Sequence, residues 1–310
     1  MKICPITYAP FEENGKYSRQ GLRLVSPRLS QLKDIPYTAA EQRQEAVARA
    51  DKMSFQGLQL KLSARLDVPH MSFVFVNTGG RFIIKPQSAL YPQLPENEDL
   101  TMRLAAAAAV EVPLHGLLFA SDGSLSYFIK RFDRTGRKYK LPVEDFAQLL
   151  GRDRDTKYDS SMEQVADVIM QFCTFPVLEA VKLLRIVLVN YLLGNEDGHL
   201  KNFSLITRDQ KVELSPAYDL VNSSIAIANP TEEIALPIRG RKRNLSRSLF
   251  LNYFAGERLG LNSTSIEAVL REISVAFAQW DRLISNSFLS QAKKKSFLDL
   301  LLTRKAVLGF

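Results

Sequence analysis

Asn195-Glu196-Asp197-Gly198-His199-Leu200-Lys201-Asn202 sets an aspartate five positions ahead of an asparagine, and a second acid, Asp219, follows in Ser215-Pro216-Ala217-Tyr218-Asp219-Leu220. Phosphoryl transfer asks little covalent chemistry of a protein. It needs a group that accepts or orients the proton of the acceptor hydroxyl, and oxygen ligands for the Mg2+ that neutralises phosphate charge. Asp197 meets the first need. Asn202 and Asp219 are hard oxygen donors, which suit Mg2+ with its retained waters. The same spacing also describes a polar turn at the end of a buried helix, since Asn195, Asp197 and Gly198 all favour turns. The flanking sequence separates the two readings.

Upstream, residues 176–193 are apolar on nearly every side, which predicts a buried helix. Gly194 is a natural stop for it and delivers 195–202 into a loop. Downstream, residues 203–206 and 212–214 predict a short antiparallel pair ending just before Asp219. Both oxygen donors then stand at the ends of short elements, close together if the pair forms. Further helices are predicted over 143–150 and 161–172, and residues 246–310 are expected to be all helical, with Ser246 and Ser263 as caps.

The first half of the chain is rich in strand signals. In Ser54-Phe55-Gln56-Gly57-Leu58-Gln59-Leu60-Lys61-Leu62-Ser63, leucines alternate with polar residues, which predicts a strand. Gly57 permits a turn and close backbone approach, and exposed amides beside Lys61 suit a phosphate; an ordinary strand entry reads the same way. Residues 72–76 and 81–85 predict a hairpin around Asn77-Thr78-Gly79-Gly80. Lys85 closes the apolar run Phe82-Ile83-Ile84, where its ammonium needs an anionic partner or must snorkel to water. A helix is expected over 97–111 with Asn97 as its cap. Glu98 either pairs with Lys85 or complements the helix dipole. Two strands, 114–120 and 125–132, flank Ser121-Asp122-Gly123-Ser124. Residues 1–50, punctuated by Pro5, Pro10, Gly15, Pro27 and Pro36, are expected to form an arm outside the core, with one helix starting after Thr38. The expected division is an arm over 1–50, a strand-rich lobe over 51–132 and a helical lobe over 133–310.

The chain has 310 residues, 46% of them hydrophobic, and a formal net charge of +8 from 41 basic and 33 acidic residues. That supports a sizeable core, excludes wholesale disorder and is compatible with polyanionic partners. Arg239 to Arg243 form a short basic run, read as a solvated loop or a contact for acid, phosphate or nucleic acid. Two cysteines, Cys4 and Cys173, make neither a disulfide framework nor a zinc site. Residues 1–5 lack the apolar segment of a signal peptide, and the most apolar stretch, 183–193, is broken by Arg185 and Asn190. A soluble, cytoplasmic protein without a membrane partner is expected.

Taken in order, a strand-borne lysine, a linker, Asp-x4-Asn and a later Asp resemble a bilobal kinase, although His-Arg-Asp and Asp-Phe-Gly are absent. The sequence resembles more closely the HipA family of bacterial serine/threonine kinase toxins, and among them the short HipT kinases of three-gene toxin–antitoxin systems. The resemblance covers about residues 50–270 and rests on 54–61, 82–86, 96–98, 129–134, 194–202, 215–220 and 238–249. It implies an α+β, protein-kinase-like fold with a strand-rich N-lobe and a helical C-lobe. It implies ATP and Mg2+ as cofactors, Asp197 as the catalytic aspartate, Asn202 and Asp219 as metal ligands, and Lys85 on the ATP phosphates. Gly57 and Lys61 would belong to the phosphate loop, His199 would neighbour the nucleotide, and Lys130 to Phe132 would form the adenine-contacting hinge. Many family members carry an acid where Lys130 stands, so only its backbone contacts carry over. Ser54 matches the autophosphorylated loop serine. About 50 residues precede Ser54, fewer than in full-length HipA, which implies a separate HipS-like protein beside a DNA-binding HipB-like antitoxin. DNA would be met only through that antitoxin. The implied substrate is an aminoacyl-tRNA synthetase. A kinase-fold phosphotransferase acting on a small molecule or lipid, or a DNA-associated corepressor scaffold, are the alternatives.

Overall fold

The computed structural model describes residues 1–49, 60–136, 139–153, 155–227 and 231–310. The chain divides into two units. The first comprises Met1–Leu100, Pro113–Phe132 and Ser285–Ser290; the second comprises Thr101–Val112, Asp133–Ile284 and Gln291–Phe310.

Unit 1 contains helices α1 (Arg19–Val25) and α2 (Ala39–Ala48), then strands β1 (Leu62–Asp67), β2 (Ser72–Phe75) and β3 (Phe82–Lys85). Helix α3 (Leu94–Ala107) begins in this unit, and β4 (His115–Phe119) and β5 (Leu125–Lys130) complete it. The five strands make one antiparallel sheet in the order β2-β1-β3-β5-β4. The expected hairpin of 72–76 with 81–85 does not form, because β1 lies between them. Arg65 pairs with Val74 on one side of β1, and Leu62 pairs with Ile84 on the other. The intervening loop crosses tightly over β1: Val76 N–H donates to Ser63 O and Arg81 N–H to Ala64 O. A Cβ on Gly80 would stand 1.9 Å from Ser63 Oγ, so this crossing requires glycine. Thr38 caps α2 as expected, and Glu41 closes the cap reciprocally on the Thr38 backbone. Helix α3 starts three residues before the expected Asn97, with Pro95 in its first turn, where a missing N–H is harmless.

Residues 1–49 are not an arm. Cys4, Ile6, Phe11, Tyr17, Leu22, Val25, Leu29, Leu32 and Ile35 are buried in one cluster with Leu62, Ile84, Leu118 and Phe128 of the sheet. This segment lies along β4, one of the two edge strands. Leu117 N–H donates to Pro5 O, Phe119 N–H to the Tyr17 hydroxyl, and Ile35 N–H to Phe119 O. Covering an edge strand in this way satisfies backbone groups that would otherwise invite intermolecular pairing. The segment hides its role in the sequence because, apart from Leu22 and Val25 of the short helix α1, these buried residues follow no helical period.

Unit 2 contains β6 (Val143–Asp145), α4 (Phe146–Leu149), α5 (Met162–Phe172) and α6 (Pro176–Leu192). Strands β7 (Ser204–Arg208) and β8 (Lys211–Leu214) follow, then α7 (Ser223–Ala226), a π-helical stretch over Leu249–Arg258, α8 (Ser263–Asn286) and α9 (Gln291–Leu308). Helix α6 is the hub, with Ala180, Leu183, Leu184, Leu188 and Leu192 fully buried. The expected helix over 143–150 is half strand: β6 pairs with β7, and Asp145 then caps α4 through the Gln148 N–H. Ser246 accepts from Leu249 N–H, but Asn262 rather than Ser263 caps α8, accepting from Ser265 N–H at 2.9 Å. Trp280 is buried, and its indole N–H donates to Leu104 O at 2.8 Å. The basic run forms a tight turn in which Ile238 and Arg241 exchange backbone hydrogen bonds. Arg241 and Arg243 are exposed, and Lys242 pairs with Glu232 at 3.2 Å. Both cysteines are buried free thiols. Among the described residues no helix is long and apolar enough to cross a membrane.

Candidate active site

In unit 1 the lysine that ends β3 is buried. Lys85 Nζ donates to Glu98 Oε1 at 2.6 Å and lies 5.7 Å from the Tyr127 ring centroid. Because α3 starts at Leu94, Glu98 stands inside the unit rather than at an open helix end, and the first-turn acid is Glu96. Of the two readings of Glu98, the ion pair is the one present. Beside it Gln87 bridges Glu96 and Leu125 O, and His115 Nδ1 meets Asp99 Oδ1 at 2.7 Å. Lys61 is exposed just before β1; the next residue, Leu62, registers with Ile84, the neighbour of Lys85. Lys130 ends β5, its N–H donating to Leu114 O at 2.8 Å, and Phe132 lies just beyond, half-buried. Ser54 and Gly57 lie outside the described residues.

In unit 2 the geometry is built from the end of α6. Gly194 takes a φ of +70°, and a Cβ there would meet Leu300, Asn222 and Ser224 within 3 Å, so only glycine turns the chain here. Asn195 is buried. Its amide donates to Asn190 Oδ1 at 3.2 Å, and its own Oδ1 accepts from Asp197 N–H at 3.3 Å. Glu196 is clamped from three sides. Its N–H donates to Ser223 Oγ at 2.7 Å, its carboxylate accepts from Ser224 Oγ, and Arg304 of α9 pairs with it at 3.0 Å. The same guanidinium donates to Tyr191 O at 2.8 Å and Glu233 O at 2.9 Å and lies over the Tyr191 ring. Burial pushes the Glu196 carboxyl above its ordinary value, with Ser224 and Arg304 opposing.

Asp197 therefore leaves a rigid frame. Its backbone carbonyl and Asn202 Oδ1 both accept from His199 N–H, at 2.8 and 3.1 Å. Asn202 Nδ2 faces Asp219 Oδ2 at 3.4 Å. The β7–β8 hairpin brings these two residues together. It registers Leu205 with Leu214 and Arg208 with Lys211 around Asp209 and Gln210, both at positive φ, the twist hairpin turns favour. Buried Glu179 of α6 accepts from Leu214 N–H at 2.9 Å and fixes the hairpin. Tyr218 anchors the approach to Asp219 by donating to Lys201 O at 2.9 Å. Asp219 itself adopts φ +62°, a left-handed conformation that aspartate tolerates better than most residues.

His199 is buried, and burial, joined by the nearby Lys157, pulls its pKa below the ordinary 6.5 despite Asp197 and Asp219. Lys157 Nζ meets His199 Nε2 at 2.9 Å. An ammonium donates, so Nε2 accepts and the neutral ring carries its proton on Nδ1, which has no hydrogen-bond partner among the described residues. Tyr158 packs edge-on to His199 with centroids 5.1 Å apart, and its phenol donates to Asp197 Oδ1.

A family model described as HipA-like C-terminal domain matches residues 53–280. The chain belongs to that family. A Haemophilus influenzae protein named "Putative kinase" is 30% identical over 94% of this chain and 93% of its own length. The Sinorhizobium fredii "Putative kinase Y4mE" is 30% identical, and the Shewanella oneidensis "Serine/threonine-protein kinase toxin HipA" is 28% identical. The chain spans less than half of each of those two, 47% and 43%. Among solved structures, the Shewanella oneidensis HipA in complex with HipB and operator DNA superposes with a TM-score of 0.69 at 22% identity, covering 91% of this chain and 74% of that one. The Helicobacter pylori proinflammatory kinase CtkA gives 0.56 at 16% identity, over 84% and 93%. The mixed α/β fold, with its strand-rich sheet and helices, is thus that of HipA-like proteins.

Within this HipA-like chain, unit 2 brings Asp197, His199, Asn202 and Asp219 into one cluster, while Lys61, Lys85, Lys130 and Phe132 belong to unit 1. Sequence reasoning missed Lys157, Tyr158, Glu196 and Arg304. Glu196 stood inside the quoted motif, and an acid beside a buried helix end calls for a cation. Nothing in the spacing pointed to a residue 108 positions away. Tyr158 lies in a polar loop with no periodic signal.

Proposed function

We propose that this chain is an ATP- and Mg2+-dependent protein serine/threonine kinase acting as a toxin. The observation that carries the reading is that Asn202, on the same loop as Asp197, meets Asp219: the Asn202 amide nitrogen lies 3.4 Å from Asp219 Oδ2, so the side-chain oxygens of both residues are near one another. One neutral and one acidic side-chain oxygen donor, with no larger metal-ligating cluster among the described residues, fit Mg2+, which takes one or two protein oxygens and leaves its other positions to water and substrate phosphates. Asn202 and Asp219 would hold the ion, which would supply charge neutralisation on the transferring phosphate. Asp197 orients the acceptor hydroxyl and receives its proton. The buried lysine of unit 1, held by Glu98, offers a fixed positive charge for the phosphates, the role a strand-borne lysine paired with a helix glutamate plays in protein kinases. Neutral His199 keeps a second positive charge away from the carboxylates, so Asp197 stays available as an acceptor.

The toxin role, a HipB-like antitoxin and contact with DNA only through it draw support from the Shewanella oneidensis HipA, whose structure contains HipB and operator DNA. A HipS-like second partner, an aminoacyl-tRNA synthetase as substrate, autophosphorylation at Ser54, adenine contacts at Lys130 and Phe132, phosphate contacts at Gly57 and Lys61, and a cytoplasmic site complete the proposal. They rest on the family resemblance.

The test is Asp219→Ala studied by calorimetry with ATP, with and without Mg2+. Wild type should bind ATP more tightly with Mg2+, and the variant should lose that gain together with phosphoryl transfer. ATP binding in wild type that is indifferent to Mg2+ would refute the ligand assignment.

A further inference from the structure

Tyr158 holds a place on Asp197 that an acceptor hydroxyl has to take. Its phenol donates to Asp197 Oδ1, and its ring stands nearly perpendicular to His199, at 85°. The contact belongs to a seated segment. Leu200 N–H donates to Lys157 O at 3.3 Å, Lys157 Nζ meets His199 Nε2 at 2.9 Å, and the same ammonium lies 4.9 Å from the Tyr158 ring centroid. The segment is shaped from its other end by Asp153. That carboxylate accepts the Asp155 and Thr156 N–H groups, both at 2.9 Å, and the Thr156 hydroxyl at 2.8 Å. Residues 155–158 thus form a strap across the 197–202 loop. Burial and the neighbouring Asp197 raise the Tyr158 pKa, so the phenol stays protonated and donates, as an acceptor alcohol would. Tyr158 is 38% exposed, so an incoming segment reaches it without opening the core.

We propose that Tyr158 Oη marks the acceptor subsite of this chain, and that the strap competes for it with the substrate. The occupant would be a hydroxyl-bearing side chain, serine or threonine, that displaces the phenol from Asp197. This inference rests on the reading of Asp197 as the group that receives the acceptor hydroxyl. It makes Tyr158 a brake: the carboxylate is held in place by an internal hydroxyl until a substrate replaces it.

Tyr158→Phe removes the hydroxyl and keeps the ring on His199. Two assays of the full chain with Mg·ATP test the idea: phosphorylation of casein as a generic acceptor, and ATP hydrolysis without acceptor. The variant should show a KM for casein about tenfold lower, the scale of one hydrogen bond to a charged group, and faster hydrolysis, since Asp197 is free to orient water. In an Asp197→Asn background the same change should bring no gain. A merely structural Tyr158 would give the opposite, a raised KM or a lowered thermal midpoint with slower turnover. KM and hydrolysis that stay at wild-type values, in a protein that turns over ATP, overturn the inference and leave the kinase reading standing. Absence of ATP turnover in both proteins, in both assays, overturns the kinase reading and this inference with it.

Discussion

Asp197 is the residue on which the chemistry turns, and its surroundings predict what a substitution does. Its backbone is fixed by Asn195 and His199, so Asp197→Asn, an isosteric change, should leave the fold intact. The amide cannot take a proton or carry charge, and transfer of labelled γ-phosphate should fall on the order of 10² to 10⁴-fold. Activity within a few-fold of wild type would remove Asp197 from the mechanism. His199 makes a prediction of the other kind. Its folded-state pKa lies below the ordinary 6.5, mainly through burial, so the folded protein binds this proton less tightly than the unfolded chain. The neutral ring contributes stability that is fully present above the ordinary value and is lost as pH falls through and below it. Urea midpoints of wild type should drop between about pH 7.5 and pH 5.5, and the profile of His199→Gln should be flatter, because glutamine still accepts from Lys157 and does not titrate. Parallel profiles would take the pH dependence away from His199.

At the scale of the element, the decisive joint is the end of α6, where α9 supplies the cation. Arg304 and Glu196 have side chains only 7% and 10% exposed, and removing one partner of a buried pair leaves an uncompensated charge. Arg304→Met should cost about 3–5 kcal/mol by denaturant unfolding and depress catalysis, since Glu196 precedes Asp197. Adding Glu196→Gln to Arg304→Met should restore part of the loss; strict additivity in that double-mutant cycle would deny the coupling. The same joint shows what was legible in the sequence. Helix α6, its glycine stop and the β7–β8 hairpin follow from hydrophobic pattern and turn chemistry, and they place Asn202 beside Asp219. The capping of α2 was equally readable. Arg304, Tyr158 and the insertion of β1 between β2 and β3 were not, because each depends on a tertiary neighbour that no local period encodes. Lys85 occupies the middle ground. A lysine closing an apolar strand demanded an anion, but whether Glu98 supplied it depended on where α3 begins, a boundary decided by Pro95 and not by Asn97.

For the whole molecule, the surprise is that a segment outside the matched family region, residues 1–35, builds the core of unit 1. Nine of its side chains, from Cys4 to Ile35, are buried with the sheet, and its backbone covers β4 at Leu117, Phe119 and Ala120. Close packing reinforces this: a Cβ on Gly116 would stand 3.2 Å from the Ile6 backbone, and one on Gly21 would stand 2.8 Å from Cys4 Sγ. Burying an aliphatic or aromatic side chain is worth about 1.5–3 kcal/mol, somewhat less against a compact unfolded chain. The eight aliphatic and aromatic side chains among the nine reach the scale of a domain's entire stability, about 5–15 kcal/mol. A chain lacking residues 1–35 should therefore fail to hold the five-stranded sheet. Hydrogen exchange is the measurement: amides of β1, β3 and β5, protected in the full chain, should exchange at rates near those of the unfolded protein. The single tryptophan, Trp280, is buried in unit 2, so its emission follows that unit separately and distinguishes loss of the sheet from loss of the whole fold. A full-length Ile6→Asn variant, which places an amide in the same core without shortening the chain, should shift exchange in the same strands and in the same direction. Full protection of the sheet in both proteins would show the N-terminal segment to be an accessory laid on a core complete without it.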